Sequence, residues 1–191
     1  MSPFAPTTTK ETTNITRDPE LQRLVDESSI RKLLNSYARA TDRVDHELLR
    51  SLYHEDAHHE DAHHDAGNTN GPVENYLAMW ETMARNKPRT SRMHHNTTML
   101  IEIDGDTAWT GTYCLAILRE PASEERSARD RFLRIRYVDR IERRAGEWKI
   151  AHRKMVWSPG CVNDVVKDGP FGPDFIVETQ DRTDPAYSRS K

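Results

Sequence analysis

The sequence predicts an α+β fold, with helices first and a mostly antiparallel sheet after them. Apolar residues recur every three or four positions from Leu21 to Tyr37, as on the buried face of a helix. Beyond Thr97 the period changes to two, which is typical of strands with one buried face. The 191 residues, 35% of them hydrophobic, are enough for one domain with a sizeable core and too few for two comfortable ones.

Three helices are predicted in the first half of the chain. The first begins at Pro19, with Asp18 as its N-cap, and a short second helix covers residues 45–53. A turn signal from Gly67 to Pro72 precedes the third helix, at about residues 72–85. Residues 1–17 are rich in Thr and Pro and have little to bury, so we expect a disordered N-terminal arm.

Four long strands are predicted in the second half, at residues 97–103, 107–118, 132–141 and 148–157. Hairpin turns are expected at Gly105 and Gly146, where glycine supplies the positive φ of a tight turn. The folded domain is therefore expected to cover residues 18–158. Residues 159–191 show no periodicity and are expected to form an extended tail, packed on the outside or on a partner subunit.

A five-residue unit, EDAHH, is written twice between Glu55 and His64. If this segment were helical, histidines four positions apart could offer two imidazoles to one metal ion. If it is a strand, its side chains alternate between faces and form no compact cage. A solvated polar run is a third interpretation. We expect no metal, and we expect the first copy to be extra length before the strand. At most one or two histidines of the repeat, with His64 the best candidate, are expected to contact substrate, and the others are expected to be solvated.

The composition excludes several classes of partner. A net charge of -3 and a pI near 6.3 give no field that would attract nucleic acid or an anionic membrane. No apolar run approaches the length of a membrane span, and the N-terminus lacks the apolar core of a signal peptide, so a cytoplasmic protein is expected. Cys114 and Cys161 are too few for a disulfide framework or a cysteine-rich metal site.

Three blocks resemble the SnoaL-like family of the nuclear transport factor 2-like superfamily. They are YARATD at residues 37–42 with LYHEDA at 52–57, HHNTTMLIEIDGDTA at 94–108, and RYVDRIERRAGEWKIAHR at 136–153. The resemblance implies a cone-shaped barrel, whose curved sheet wraps around three N-terminal helices and encloses an apolar pocket. It also implies a homodimer or homotrimer. Members of the family include scytalone dehydratase, bile acid dehydratase, hexachlorocyclohexane dehydrochlorinase, polyketide cyclases and diarylpropane formaldehyde-lyase type enzymes.

The resemblance also implies an acid-base pair made of Asp42 and His94, with Tyr37 as a donor to the substrate. The chemistry of these residue types agrees. Histidine titrates near neutral pH, a buried carboxylate fixes its tautomer, and a tyrosine hydroxyl can stabilise a developing oxyanion. Each residue also has a structural interpretation, because Tyr37 lies on the apolar stripe of the first helix and Asp42 could simply end that helix.

His95 competes with His94, since neighbouring strand residues point to opposite faces. Spacing to Gly105 favours His94, whereas strict alternation from Met99 and Ile101 favours His95, and a bulge would decide between them. Arg153 resembles a cavity arginine of the family, although a strand arginine is more often solvated. Trp80 is a candidate for the pocket wall, with ordinary core packing as the alternative.

These residues predict a cofactor-independent lyase or dehydratase acting on a hydrophobic small molecule. The substrate would be an aromatic compound, such as a lignin-derived diaryl compound, or a polyketide or steroid-like molecule. The protein would then act in aromatic compound catabolism. Two alternatives stay open. One is a non-catalytic ligand-binding or assembly module with the same fold, and the other is a metal-dependent enzyme that uses the histidine repeat.

Overall fold

The computed structural model describes residues 18–61, 69–86, 91–166 and 174–188. Its helices and strands, in chain order, are α1 Pro19–Asp42, α2 His46–Ser51, β1 Tyr53–Asp61, β2 Gly71–Pro72, α3 Val73–Asn86, β3 Arg92–Asp104, β4 Thr107–Glu120, β5 Arg129–Arg144 and β6 Glu147–Asp164. The predicted α+β class is confirmed. The N-terminal arm predicted for residues 1–17 lies outside the described residues.

The six strands form one curved mixed sheet in the order β2-β1-β6-β5-β4-β3. Strands β3 to β6 form the predicted antiparallel meander, but β1 pairs with β6 in parallel and β2 pairs with β1 antiparallel. The helices pack against the inner face of this sheet, which α1 approaches mainly at β3. The core consists of the residues that this packing encloses, including Ile30, Leu34, Leu77, Ile135 and Ile150.

Helix α1 begins as predicted. Asp18 is its N-cap and accepts a hydrogen bond from the backbone N–H of Glu20 at 2.9 Å, and Pro19 occupies the first helical position. The predicted apolar stripe is only partly buried, because Leu21, Leu24 and Val25 are exposed while the stripe from Ile30 onward is enclosed. The helix therefore reaches past the end of the sheet at its N-terminus.

The strands are longer than predicted. Strand β3 begins at Arg92, and β6 continues to Asp164, six residues beyond the expected end of the domain. Residues 174–188 do not extend away from the domain. Arg43, in the turn after α1, forms ion pairs of 3.2 Å with both Glu178 and Asp184, and Tyr187 donates to Asp45 at 2.9 Å. This C-terminal segment therefore packs on the turn between α1 and α2.

The histidine repeat forms a strand, so its alternation interpretation is confirmed up to Asp61. His58 is exposed, whereas His59 is fully buried and His54 nearly so. The expectation that these histidines are solvated was wrong for His54 and His59. The first copy is also not extra length, because it supplies most of β1, which pairs with both β6 and β2.

The described residues contain neither a cluster suited to a metal ion nor a helix suited to span a membrane. Within residues 18–61, 69–86, 91–166 and 174–188, no three His, Cys, Asp or Glu side chains lie close enough together to hold a metal ion. In the same ranges, no helix has the length and apolar character needed to span a membrane.

Candidate active site

Asp42 and His94 form a close pair at the junction of α1 and β3. The carboxylate of Asp42 contacts His94 twice: Oδ1 lies 2.6 Å from the ring Nδ1, and Oδ2 accepts the backbone N–H of His94 at 3.1 Å. The two side chains remain 15% and 12% exposed. A carboxylate oxygen accepts hydrogen bonds and does not donate them, so Nδ1 must carry the proton in this contact. In the neutral imidazole, Nε2 then keeps a free lone pair.

A bulge in β3 explains why His94 faces inward. Asn96 pairs with Cys114 and Met99 with Thr112, so two residues of β3 lie opposite one residue of β4. The extra residue reverses the alternation between the two ends of the strand. His94 and Asn96 therefore share the inner face with Met99 and Ile101, although the numbers of these two pairs differ in parity.

His95 lies on the opposite face of β3 and is exposed. We expected His95 to contact substrate, but the bulge makes His94 the inward residue and leaves His95 on the outer face of the sheet. His64 lies outside the described residues, and its predicted role stays a prediction.

A tight turn holds Asp42 in place after α1. Asp42 is the last residue of the helix, and the chain reverses through Val44, whose φ of 53° lies in the left-handed region. A β-branched residue rarely adopts this conformation, which costs about 1–3 kcal/mol. The backbone N–H of Asp45 then donates to Ala40 O at 2.9 Å, and Asp45 caps α2. The turn therefore aims Asp42 at β3 at the expense of local strain.

Tyr37 lies inside the fold, somewhat more than one helical turn before Asp42. Its hydroxyl is 2.6 Å from the hydroxyl of Tyr76 on α3, and the residue is almost fully buried. Burial raises the pKa of Tyr37, which the nearby charge of Arg153 partly opposes. Two hydroxyls share one hydrogen bond here, so one of their two protons is not used between them.

Arg153 is fully buried on β6 and is not a solvated strand residue. Its Nε and Nη2 atoms donate to the two oxygens of Asp139 on β5, at 2.8 and 2.7 Å. Its guanidinium lies 3.9 Å from the ring centroid of Tyr37 and 4.4 Å from that of Tyr137. Contact with substrate is therefore not supported by this position, since a ligand would have to enter the packed core to reach Arg153.

Trp80 and Arg92 lie beside the Asp42–His94 pair. The guanidinium of Arg92 lies 4.8 Å from the ring centroid of Trp80, and the charge of Asp42 acts on Arg92. Because Arg92 is two residues before His94, it shares the inner face of β3. The predicted place of Trp80 near the site agrees with this contact, but sequence reasoning missed Arg92. Counting two residues back from His94 would have found it.

His59 is a second histidine that sequence reasoning assigned wrongly. It is fully enclosed, its ring stacks on Tyr76 with centroids 3.8 Å apart, and neither ring nitrogen has a hydrogen-bond partner among the described residues. Burial, with a contribution from the charge of Arg153, lowers the pKa of His59 from 6.5 to about 3. It is therefore neutral at physiological pH, and no ligand reaches it without rearrangement of the core.

Chemically, the arrangement offers one accessible base beside one carboxylate. By contrast, Asp139 and Arg153 are paired with each other in the core, and His59 is enclosed. The site can thus accept a proton at His94 Nε2, and Asp42 can stabilise the imidazolium that results.

Comparisons with known proteins identify the family and the fold of the chain. A model of the SnoaL-like domain matches residues 22–154. A solved scytalone dehydratase candidate from Novosphingobium aromaticivorans DSM 12444 is 20% identical, with a TM-score of 0.61 over 81% of this chain and 97% of its own. A type 2 hexachlorocyclohexane dehydrochlorinase, LinA, is 18% identical, with a TM-score of 0.64 over 82% and 99%.

A third solved structure is a protein of unknown function from Mycobacterium tuberculosis, Rv3472 with the substitution D26N. It is 22% identical, with a TM-score of 0.59 over 74% of this chain and 76% of its own. At these identities the structures show a shared fold and no more. The search of curated proteins found no match. The domain match covers most of the chain, and the chain therefore belongs to the SnoaL-like family within the nuclear transport factor 2-like superfamily.

Proposed function

We propose that the protein is a cofactor-independent lyase that removes a small group from a hydrophobic substrate, with His94 as the base. The observation that carries the proposal is the double contact of Asp42 with His94, through Nδ1 and through the backbone N–H. It orients the ring and leaves Nε2 as the proton acceptor. The LinA dehydrochlorinase and the scytalone dehydratase candidate are named for eliminations, which supports this reaction class.

In the proposed reaction, His94 Nε2 takes a proton from a carbon atom of the substrate. The electron pair of that C–H bond forms a double bond as the leaving group departs with its own electron pair. The imidazolium, stabilised by Asp42, then returns the proton to the leaving group. Tyr37, the predicted donor, is almost fully buried and hydrogen-bonded to Tyr76, so the proposed proton transfers do not depend on it.

The proposed substrate is an aromatic or similarly apolar molecule. Trp80, Met99, Ile101, Leu118, Leu133 and Trp157 are apolar residues that belong to the core or pack against it. Diaryl, polyketide and steroid-like compounds all agree with such surroundings, and the reaction subtype depends on which of them binds.

Paired variants of β3 test the proposal. A panel of β-hydroxy aromatic ketones and diaryl alcohols is incubated with the protein, and products are followed by mass spectrometry. With a substrate found in this way, His94→Ala should lower kcat by about 100- to 10,000-fold, the usual contribution of general acid-base catalysis. Asp42→Asn should also lower kcat, because it no longer holds Nδ1 as the donor.

His95→Ala is the matched control, since it removes an imidazole from the exposed face of the same strand. It should keep near wild-type turnover. Turnover that survives in His94→Ala, or that falls equally in His95→Ala, would contradict the proposal. A ligand-binding module of the same fold would instead bind members of the panel, convert none, and keep its affinity in His94→Ala.

We also propose that the protein assembles through the outer face of the sheet. Large apolar side chains are exposed there, with Leu100 at 62%, Trp109 at 48%, Tyr113 at 52% and Val138 at 42%. A patch of this kind commonly marks a protein interface. A second copy of the chain, in a homodimer or homotrimer, is the occupant that we expect.

A further inference from the structure

Arg92 is a nearly buried cation without a hydrogen-bonded partner among the residues that the structure describes. The residue is 7% exposed, its Nε is completely enclosed, and its side-chain nitrogens form no hydrogen bond or ion pair with a residue that the structure describes. Its contacts are the ring of Trp80 at 4.8 Å and the electrostatic field of Asp42. Both oxygens of Asp42 are engaged by His94, through its ring and its backbone N–H.

This arrangement is costly if it serves only the fold. An unpaired buried ion is strongly destabilising, and a cation-π contact with Trp80 offsets only part of that cost. Burial lowers the pKa of Arg92, while the charge of Asp42 opposes this effect. The guanidinium nevertheless stays protonated, because arginine does not lose its proton under physiological conditions. An apolar residue would pack against Trp80 without this cost.

The position of Arg92 relative to His94 suggests a use for the charge. Alternate residues of a strand lie on one face about 6.5–7 Å apart, so a ligand of modest size can contact both side chains. A guanidinium presents parallel N–H groups that suit the oxygens of a carboxylate or an enolate.

We propose that Arg92 binds an oxygen of the substrate that is anionic or becomes so when His94 removes a neighbouring proton. The inference rests on the proposed function in assigning the base to His94. With His94 as the base, such an oxygen belongs to a carbonyl next to the carbon that loses the proton, as in an aromatic β-hydroxy ketone.

The electron balance of the step is complete without a further reactant. His94 Nε2 takes the proton from the carbon next to the carbonyl, the C–H electron pair forms the C=C bond of an enolate, and the carbonyl π electrons move onto the oxygen facing Arg92. When the carbonyl forms again, the β-hydroxyl leaves with its electron pair and takes the proton from His94. The products are an unsaturated carbonyl compound and water.

Binding of small probes tests this inference without turnover. Benzoate is the anionic probe and benzamide is its neutral isostere. Their titrations are followed at the indole N–H signal of Trp80 by NMR, assigned with Trp80→Phe. The wild type should prefer benzoate by at least about tenfold, since a hydrogen bond between two charged groups is stronger than one to a neutral amide.

Arg92→Met should remove this preference and leave the affinity for benzamide within about twofold, whereas Arg92→Lys should keep part of it. His94→Gln should retain the preference. No preference in the wild type, no binding of benzoate, or an equal loss of both probes in Arg92→Met would overturn the inference. Turnover of His94→Gln tests the proposed function, since this variant should be inactive if His94 is the base. The preference for benzoate over benzamide tests the role of Arg92, so the two proposals can fail separately.

Discussion

Replacing Asp139 by Asn should destabilise the protein by about 3–5 kcal/mol, the usual effect of removing one partner of a buried ion pair. Asp139 and Arg153 have fully buried side chains joined by two hydrogen bonds of 2.8 and 2.7 Å. Burial alone would lower the pKa of Arg153, but the charge and hydrogen bonds of Asp139, together with Tyr53 and Tyr37, raise this pKa well above its ordinary value. In the variant, the guanidinium would remain charged between Tyr37 and Tyr137 with its main partner lost.

A loss of this size is a large fraction of the total stability of a domain, which is about 5–15 kcal/mol. The assay is equilibrium unfolding in urea, followed by tryptophan fluorescence. The control is Asp106→Asn, because the side chain of Asp106 is 71% exposed and pairs with Arg143 at the surface. It should cost less than about 1 kcal/mol.

The double variant Asp139→Leu with Arg153→Met separates an unpaired charge from lost packing. It removes both ions and should be more stable than Asp139→Asn, because no charge is left without a partner. A free energy of unfolding for Asp139→Asn within 1 kcal/mol of that of Asp106→Asn, about fivefold in the unfolding equilibrium, would show that the buried pair does not have this effect.

Two further predictions concern His59 and the outer sheet face. His59→Phe should stabilise the protein by about 1–3 kcal/mol, since it removes two enclosed nitrogens without partners. The pKa of His59 falls from 6.5 to about 3 on folding, so the unfolded chain binds the proton first as the pH drops. As the pH falls between these values, the free energy of unfolding of the wild type should drop by up to about 1.4 kcal/mol per pH unit, and that of His59→Phe should drop less. Urea unfolding at pH 7 and pH 5 measures the difference, with the exposed His58→Phe variant as the control. An unchanged pH dependence would contradict this. Trp109→Glu should convert the wild-type oligomer to monomers in light scattering, and a monomeric wild type would refute the proposed interface.

Much of the fold could be predicted because its signals are local. Asp18 and Pro19 mark the start of α1 through capping chemistry, and the strands of the meander alternate visibly. The order and spacing of three blocks also indicated the family. The pairing of Asp42 with His94 was predicted only through that resemblance, because 52 residues separate them and periodicity says nothing about contacts at that distance.

The errors have a common physical origin in long-range pairing. A polar segment such as HEDAHHED is typical of a solvated run, yet its place between β2 and β6 buries His59 and gives β1 two neighbours. The bulge that turns His94 inward likewise depends on the partner strand, since it exists only as a mismatch with β4. Neither feature has a local signature in the chain.

The two buried arginines differ in what their surroundings leave available. Arg153 donates to both oxygens of Asp139 and has no exposed surface, so the fold already uses most of its charge. Arg92 is in the field of a carboxylate whose two oxygens are occupied by His94, and it keeps some exposure beside that pair. A ligand oxygen therefore gains more from Arg92 than from Arg153. Burial and pairing, which strand periodicity does not report, decide which of two inward arginines is free to bind substrate.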